Sequence, residues 1–402
     1  MRVLGMMSGT SLDAIDVVLA DFSREATDPG TVRAHLLHVG EQPWPEATRD
    51  ALRAALPPAQ ADVATWSRLH AEVGDAFARA AARVLTAHGG ADLVSTHGQT
   101  VHHDVRDGRV LSTLQIGDPA RIARATGAPV LHDLRSADVA AGGQGAPLAP
   151  LLDQLLLGAD PHERTAVLNI GGISNVSLVG GEDPADEVVA GDLGPGNALL
   201  DAAVHEATGD SADHDAFRAR TGTVDRPALA TLLADPFYAR PLPRSTGREH
   251  FDGEHVRRLL GDQAFDALTL PDLLATLTEL SAVTIARAIQ ELRATRVIGS
   301  GGGLRNPLLR ERLAAHLHPV PLLDADALGI PADGKEALLI ALLGYLGAHG
   351  LPGTLARADG TAHTGAHAPV VLGSLTPPHG LRDLPAQPAD AVAVTRVELA
   401  TP

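Results

Sequence analysis

A short apolar run, a loop of small residues and a returning apolar run occur twice, roughly 160 residues apart, and this echo restricts the fold more than any other feature. The first copy is Arg2 to Met7, a loop from Ser8 to Asp13, and Ala14 to Ala20; the second is Ala166 to Ile170, Gly171-Gly172, and Ser174 to Val179. Short apolar runs bounded by Gly and Ser fit strands, and small residues fit a tight reversal. The likeness is one of pattern, and it predicts a duplicated architecture. Helix-like stretches rich in Ala, Leu and Arg span Ala61 to Ala87, Pro271 to Ala294 and Asn306 to Leu317, with strand-like runs Ala91 to Ser95 and Arg296 to Gly299 beside them. That alternation predicts an α/β fold with helices covering central sheets, and 402 residues at roughly 150 per domain suggest two domains.

Composition removes several function classes. With no Cys, disulfides, zinc-thiolate sites, iron–sulfur clusters and thiol nucleophiles are excluded. A net charge of −17 and only 2% aromatic residues argue against nucleic acid, which needs cationic faces and stacking platforms. Nowhere do about 18 uninterrupted apolar residues occur, so no membrane span is expected and a cytoplasmic location is the default.

Three glycine-rich loops carry candidate chemistry. Ser8 to Asp13 offers hydroxyls, approachable amides and a carboxylate at a hairpin tip, parts suited to a phosphate and equally to a plain tight turn. Asp192-Leu193-Gly194-Pro195-Gly196-Asn197 lies between strand-like Glu187 to Ala190 and helix-like Ala198 to Ala207. It could hold hydrated Mg²⁺ and phosphate at a helix N-terminus, or serve as a β-to-α turn. Ser300-Gly301-Gly302-Gly303-Leu304-Arg305-Asn306-Pro307 runs from a strand into a helix with Asn306 as cap, and Leu304 breaks the dinucleotide fingerprint. Two polar segments remain. Thr96 to His103 follows a buried strand and suits a hydroxylated ligand, its His spacing matching no zinc pattern. In the segment from Asp133 to Leu148, Asp133 could cap a helix or pair with Arg135, and Asp138 could act as a general base.

Taken in order, Gly-Met-Met-Ser-Gly-Thr-Ser-Leu-Asp, His-Gly-Gln-Thr, Gln-Ile-Gly-Asp, Arg-x-x-Asp-x-Ala-x-Gly-Gly-Gln-Gly-Ala-Pro-Leu, Leu-Asn-Ile-Gly-Gly-Ile-Ser-Asn, Gly-Pro-Gly-Asn, Ser-Thr-Gly-Arg-Glu and Gly-Gly-Gly-x-Arg-Asn-Pro closely resemble the 1,6-anhydro-N-acetylmuramic acid kinases of bacteria, from about residue 2 to about residue 373. The resemblance implies a duplicated actin- and hexokinase-like (ribonuclease H-like) α/β fold with a nucleotide cleft between two domains. The expected domains are 1–130 with a returning segment 350–373, then 131–349, then a surface tail 374–402. It implies ATP and Mg²⁺ as cofactors, and a reaction in which water opens the 1,6-anhydro bridge while the γ-phosphoryl passes to O6, within cell-wall recycling. Asp138 matches the base. Gly9, Thr10, Ser11 and Asp13, with Asp192, Gly194, Gly196, Asn197, Gly301, Gly302, Gly303 and Asn306, match nucleotide-gripping loops, Asp192 holding Mg²⁺ through water. His97, Gln99, Thr100, Arg135 and Glu336 fall in segments resembling the sugar pocket. The expected partners are ATP, the anhydro sugar and water, with no nucleic acid or membrane, and the protein could form a homodimer.

Two departures stand out. Leu134-Arg135-Ser136-Ala137 is poorer in Arg than is usual around the base, which throws recognition of the lactyl carboxylate onto Arg135 or elsewhere, and Leu193 stands where Thr is common. The alternatives are a simple amino-sugar kinase of the same fold, in which Asp138 would deprotonate a substrate hydroxyl, and a non-catalytic sugar and ATP sensor.

Overall fold

The computed structural model describes residues 1–402 apart from 10, 58, 107, 159, 161, 182–187, 243, 245, 247–249, 326–328, 330–333, 381–391 and 401–402. The chain enters a first sheet with β1 (Arg2–Ser8), β2 (Ala14–Arg24), β3 (Thr31–Pro43), β4 (Leu93–Arg106), β5 (Arg109–Ile116) and β6 (Val130–His132). A second sheet follows with β7 (Thr165–Ile170), β8 (Ile173–Val179), β9 (Val189–Pro195), β10 (Arg296–Ser300) and β11 (Leu322–Asp324). The C-terminal segment then returns to the first sheet as β12 (Ser374–Thr376) and β13 (Arg396–Ala400).

Both sheets have one plan. In the first, β1, β2 and β3 form an antiparallel meander, and β4 and β6 add on the other side of β1, parallel to it. In the second, β7, β8 and β9 repeat the meander, and β10 and β11 repeat the parallel pair. The expected duplication is therefore present in five strands of each sheet, the doubled ribonuclease H-like order of actin- and hexokinase-like folds, with β5, β12 and β13 added to the first sheet alone.

The chain divides into one unit of Met1–Ala159 with Gly329–Pro402 and another of Asp160–Leu328. In the first, successive β1 residues feed opposite faces, as strand geometry requires. Val3 joins Val18, Ala20 and Phe22 against the helices Ala149–Leu157 and Lys335–Ala348. Leu4 and Met6 join Val17 and Leu19 against the helix Val63–His88. The helix Lys335–Ala348 crosses β1 so closely that a Cβ on Gly5 would lie 2.2 Å from the Ala337 carbonyl oxygen, so only Gly fits there. In the second unit, Ala166, Leu168 and Ile170 of β7 pack with Ile285 and Ile289 of the helix Leu270–Glu291 and with Leu309 and Leu313 of the helix Pro307–Leu317.

The boundaries differ from those expected. Residues 131–158 and 334–349 belong to the first unit, because the helices Ala149–Leu157 and Lys335–Ala348 bury their apolar faces on its sheet. The stretch expected as a surface tail supplies two edge strands instead, β12 antiparallel to β6 and β13 parallel to β3, with Val397 buried. Among the described residues no helix is long and apolar enough to cross a membrane.

Candidate active site

In the first unit, polar side chains gather where β1 ends beside the middle of β4 and the segment 133–148. The two strands run parallel with Ser8 opposite Gln99. Ser8 is buried and its Oγ accepts a bond from Trp44 Nε1 at 3.2 Å. The Gly9 carbonyl accepts from Gln99 Nε2 at 3.3 Å, tying the hairpin tip to β4. Leu12 turns the tip with a φ of 57°, a conformation a branched side chain adopts only under constraint, and its burial supplies that constraint. Ser11 and Asp13 on either side are exposed, and Thr10 lies outside the described residues.

The segment expected to follow a strand is itself strand, since β4 runs through Thr96 to His103. His97 is buried with both ring nitrogens engaged. Nε2 accepts from Arg135 Nε at 2.7 Å, so the proton sits on Nδ1, which faces the Gly98 carbonyl at 3.2 Å. Burial, with the Arg135 charge adding to it, pushes the imidazole down to about 3, so His97 is a neutral acceptor that orients Arg135. Arg135 also donates to the Gly145 carbonyl at 2.6 Å. Gln99 is fully buried, and among the described residues its Oε1 has no hydrogen-bond partner. The Thr100 hydroxyl accepts from Gln115 Nε2 at 3.4 Å.

Asp138, in the short helix Ser136–Ala140, is fully buried. Its Oδ2 accepts from the Gly145 N–H at 2.7 Å and its Oδ1 from the Thr364 hydroxyl at 2.5 Å. The turn after the helix closes directly over the carboxylate. A Cβ on Gly143 would lie 2.2 Å from Oδ2, which explains Gly at that place. His363 stands beside it as a neutral ring, held down chiefly by burial, its Nε2 donating to the Pro147 carbonyl at 2.9 Å and its Nδ1 accepting from the Leu355 N–H. Thr364 and His363 were not foreseen from the sequence, because nothing in their spacing or in the roughly 215 residues of chain between Leu148 and them marks them as partners of Asp138. Asp133 is not the cap residue of the helix Ser136–Ala140, a place that Arg135 takes, but its Oδ1 accepts from the Ser136 hydroxyl at 2.6 Å and from the Ser136 N–H at 3.4 Å. Glu336 opens to solvent in the first turn of its helix. The protein crowded around it nevertheless raises its carboxyl, with Arg135 and Lys335 pulling the other way.

In the second unit, β9 extends further than expected, through Asp192, Leu193, Gly194 and Pro195. The N–H groups of Gly196, Asn197 and Ala198, which looked suited to a phosphate, donate to the carbonyls of Gly172, Gly171 and Gly172 in the β7–β8 reversal. Asp192 Oδ2 accepts from the Thr246 N–H at 2.8 Å. Asn306 caps the helix Pro307–Leu317 as anticipated, its Oδ1 accepting from Leu308 and Leu309 N–H, with Pro307 in the first turn. A cavity of about 190 Å³ adjoins these loops, and Asn197, Gly302 and Asn306 line it with Asp201, Asp213 and Arg305. Three expected nucleotide residues thus share one cavity; its acidic and Arg305 walls were not foreseen. Of the Ser-Thr-Gly-Arg-Glu motif only Thr246 is among the described residues.

A model of the family described as "Anhydro-N-acetylmuramic acid kinase" matches residues 1–378. The chain belongs to the anhydro-N-acetylmuramic acid kinase family. It is 47% identical over 402 residues to the anhydro-N-acetylmuramic acid kinase of Streptomyces coelicolor, covering 99% of each chain. Identity to the Rhodococcus erythropolis kinase is 44% over 393 residues, covering 96% of each. More distant likenesses among solved structures include a ROK family glucokinase from Streptomyces griseus (TM-score 0.38, 14% identity, 86% of this chain and 99% of that one). Another is the activator of a 2-hydroxyisocaproyl-CoA dehydratase from Clostridium difficile (TM-score 0.42, 11% identity, 86% and 94%). As a member of the anhydro-N-acetylmuramic acid kinase family the protein is an enzyme, a kinase of carbohydrate metabolism.

Among the described residues of this kinase, Asp235, His250 and His255 form the one cluster with metal-ligand chemistry. It is satisfied as a hydrogen-bonded set. His255 Nδ1 faces the Arg258 guanidinium at 3.2 Å and accepts from it, leaving Nε2–H to donate to Asp235 Oδ2 at 3.0 Å. His250 Nε2 lies 3.3 Å from the same oxygen, and Asp235 Oδ1 accepts from the Phe237 N–H.

Proposed function

We propose that this kinase adds water across the 1,6-anhydro bridge of 1,6-anhydro-N-acetylmuramic acid and transfers the γ-phosphoryl of ATP to the released O6, giving N-acetylmuramic acid 6-phosphate and ADP. The observation that carries the reading is Asp138, a buried carboxylate with both oxygens held by the Gly145 N–H and the Thr364 hydroxyl. A carboxylate oxygen accepts more than one hydrogen bond, so each retains room for a water O–H. Water bonds to C1 as the C1–O6 bond breaks, its proton passes to Asp138, and O6 bonds to phosphorus as the bond to the ADP oxygen breaks. The departing O6 needs no acid, because phosphorus captures it.

Arg135, aimed by neutral His97, supplies a fixed cation on the sugar side for the lactyl carboxylate. Buried Gln99 Oε1 offers an acceptor for a sugar hydroxyl or amide N–H. ATP belongs with the cavity beside Gly302 and Asn306. Asp192, a single half-buried carboxylate, fits Mg²⁺ that keeps most of its waters and takes one protein carboxylate plus phosphate oxygens, and the ion would offset phosphate charge. The setting is recycling of cell-wall sugars in the cytoplasm.

Turnover in ¹⁸O-water tests the reading. Label is expected at C1 of the product, first formed as the α-anomer, and none in phosphate. Label in inorganic phosphate with none at C1 rejects the coupled reaction, and equal activity on N-acetylmuramic acid without the bridge favours a simple amino-sugar kinase.

A further inference from the structure

Of the 32 Lys and Arg residues, 31 are Arg, and the single lysine is Lys335. It opens the helix Lys335–Ala348, immediately before Glu336. A cation at a helix N-terminus opposes the macrodipole, so helix stability does not account for it. Its Nζ lies 2.5 Å from Oδ1 of Asp153, on the helix Ala149–Leu157. Asp153 is 1% exposed among the leucines of the first unit's core, where a carboxylate requires a partner. Meeting one buried oxygen end-on suits a compact ammonium, whereas a guanidinium is broad and makes its best pairs side-on.

We propose that Lys335 is a positioning residue for the sugar side of the site: its ion pair with Asp153 fixes the first turn of the helix Lys335–Ala348 and so aims the Glu336 carboxylate toward Arg135. The inference rests on the assignment of Glu336 and Arg135 to the sugar side given above. Among the described residues, the charged groups facing Glu336 are Arg135, just ahead of the helix Ser136–Ala140, and Lys335 on its own helix. Both favour the carboxylate against the crowding that raises it. Losing Lys335 would raise Glu336 further, so activity that needs the carboxylate would fail at a higher pH as pH falls.

The test compares Lys335→Met, Lys335→Arg and the double variant Lys335→Met/Asp153→Leu in the full-length protein, by KM for each substrate, the pH profile of kcat/KM, and thermal unfolding. Lys335→Met is expected to raise KM for the sugar on the order of tenfold, as misplacing a substrate-facing group does. KM for ATP should stay within about twofold, and the acid limb of the profile should move to higher pH. Lys335→Arg should recover part of the pH limb, through its charge, and less of the KM. The double variant removes the carboxylate that loses its ammonium, so it should recover thermal stability but neither the sugar KM nor the limb, and it takes the place of Lys335→Met if that variant does not fold. Recovery of all three in the double variant, or an equal rise in KM for ATP, overturns the proposal. If the wild-type protein turns over only the unbridged sugar, the same comparison is made on that sugar, so the reaction assignment and the role of Lys335 fail separately.

Discussion

Asp138 and Thr364 meet at 2.5 Å although 226 residues of sequence separate them. Asp138→Asn tests what that carboxylate does. The amide is nearly isosteric, its oxygen can accept from the Gly145 N–H, and the Thr364 hydroxyl can rotate to accept from its NH₂, so the fold should persist by circular dichroism. Turnover should fall on the order of 10² to 10⁴-fold, the usual loss for a general base; near-normal kcat would move the base elsewhere. His97 makes a second prediction. An unfolded imidazole takes its proton near 6.5 and the folded one only at about 3, so between those values the unfolded state binds more protons and stability falls as pH falls. The slope from this one group is up to about 1.4 kcal/mol per pH unit. Replacing it by Gln keeps an acceptor for Arg135 without a titrating ring, so denaturant titrations should give a shallower loss below pH 6.5 for the variant than for the wild type. Parallel slopes would mean that His97 is not held neutral.

At the scale of elements, what could be read from the chain followed local chemistry. The helix Pro307–Leu317 announced itself by Asn306 and Pro307, and the helix Val63–His88 by its long Ala- and Leu-rich run. β4 looks shorter in the sequence than it is because Thr96, His97 and Gln99 are polar yet buried, site residues overriding the alternation that marks a strand. β12 and β13 are too short to show a period among Pro and Asp, and only pairing with β6 and β3 makes them strands. Arg244 shows how one side chain can join elements. Its guanidinium donates to the carbonyls of Asp192 and Leu193 in β9 and to those of Phe237, Tyr238 and Arg240, while stacking 4.8 Å from the Phe237 ring. Lysine has three donors on one point and cannot span both sets. Arg244→Lys should therefore lower unfolding stability by about 1–3 kcal/mol, the range for buried polar groups left unpaired, and raise KM for ATP more than KM for the sugar. Unchanged stability in denaturant titrations would show the carbonyls finding other partners.

Across the whole molecule, the repeated hairpin pattern made the doubled sheet legible, but the division into units was not, because the first unit is built from both ends of the chain and long-range packing alone decides it. The division separates the proposed roles. Arg135, Asp138 and Glu336 lie in the first unit; the cavity beside Gly302 and Asn306 lies wholly in the second. Hydrogen exchange in the full-length protein should register that separation. A non-hydrolysable ATP analogue should slow exchange over residues 301–306, which adjoin the second unit's cavity. Residues 196–198 should change little, because their N–H groups already bond to the Gly171 and Gly172 carbonyls and are protected before any ligand arrives. The anhydro sugar should instead slow exchange over residues 97–100 and 135–145, where buried Gln99 Oε1 awaits a partner and His97 and the Gly145 carbonyl hold Arg135 in place. New protection at 196–198 on adding the nucleotide would mean that those amides leave the hairpin to grip phosphate after all, and protection by nucleotide spread over 135–145 would place ATP on the wrong unit.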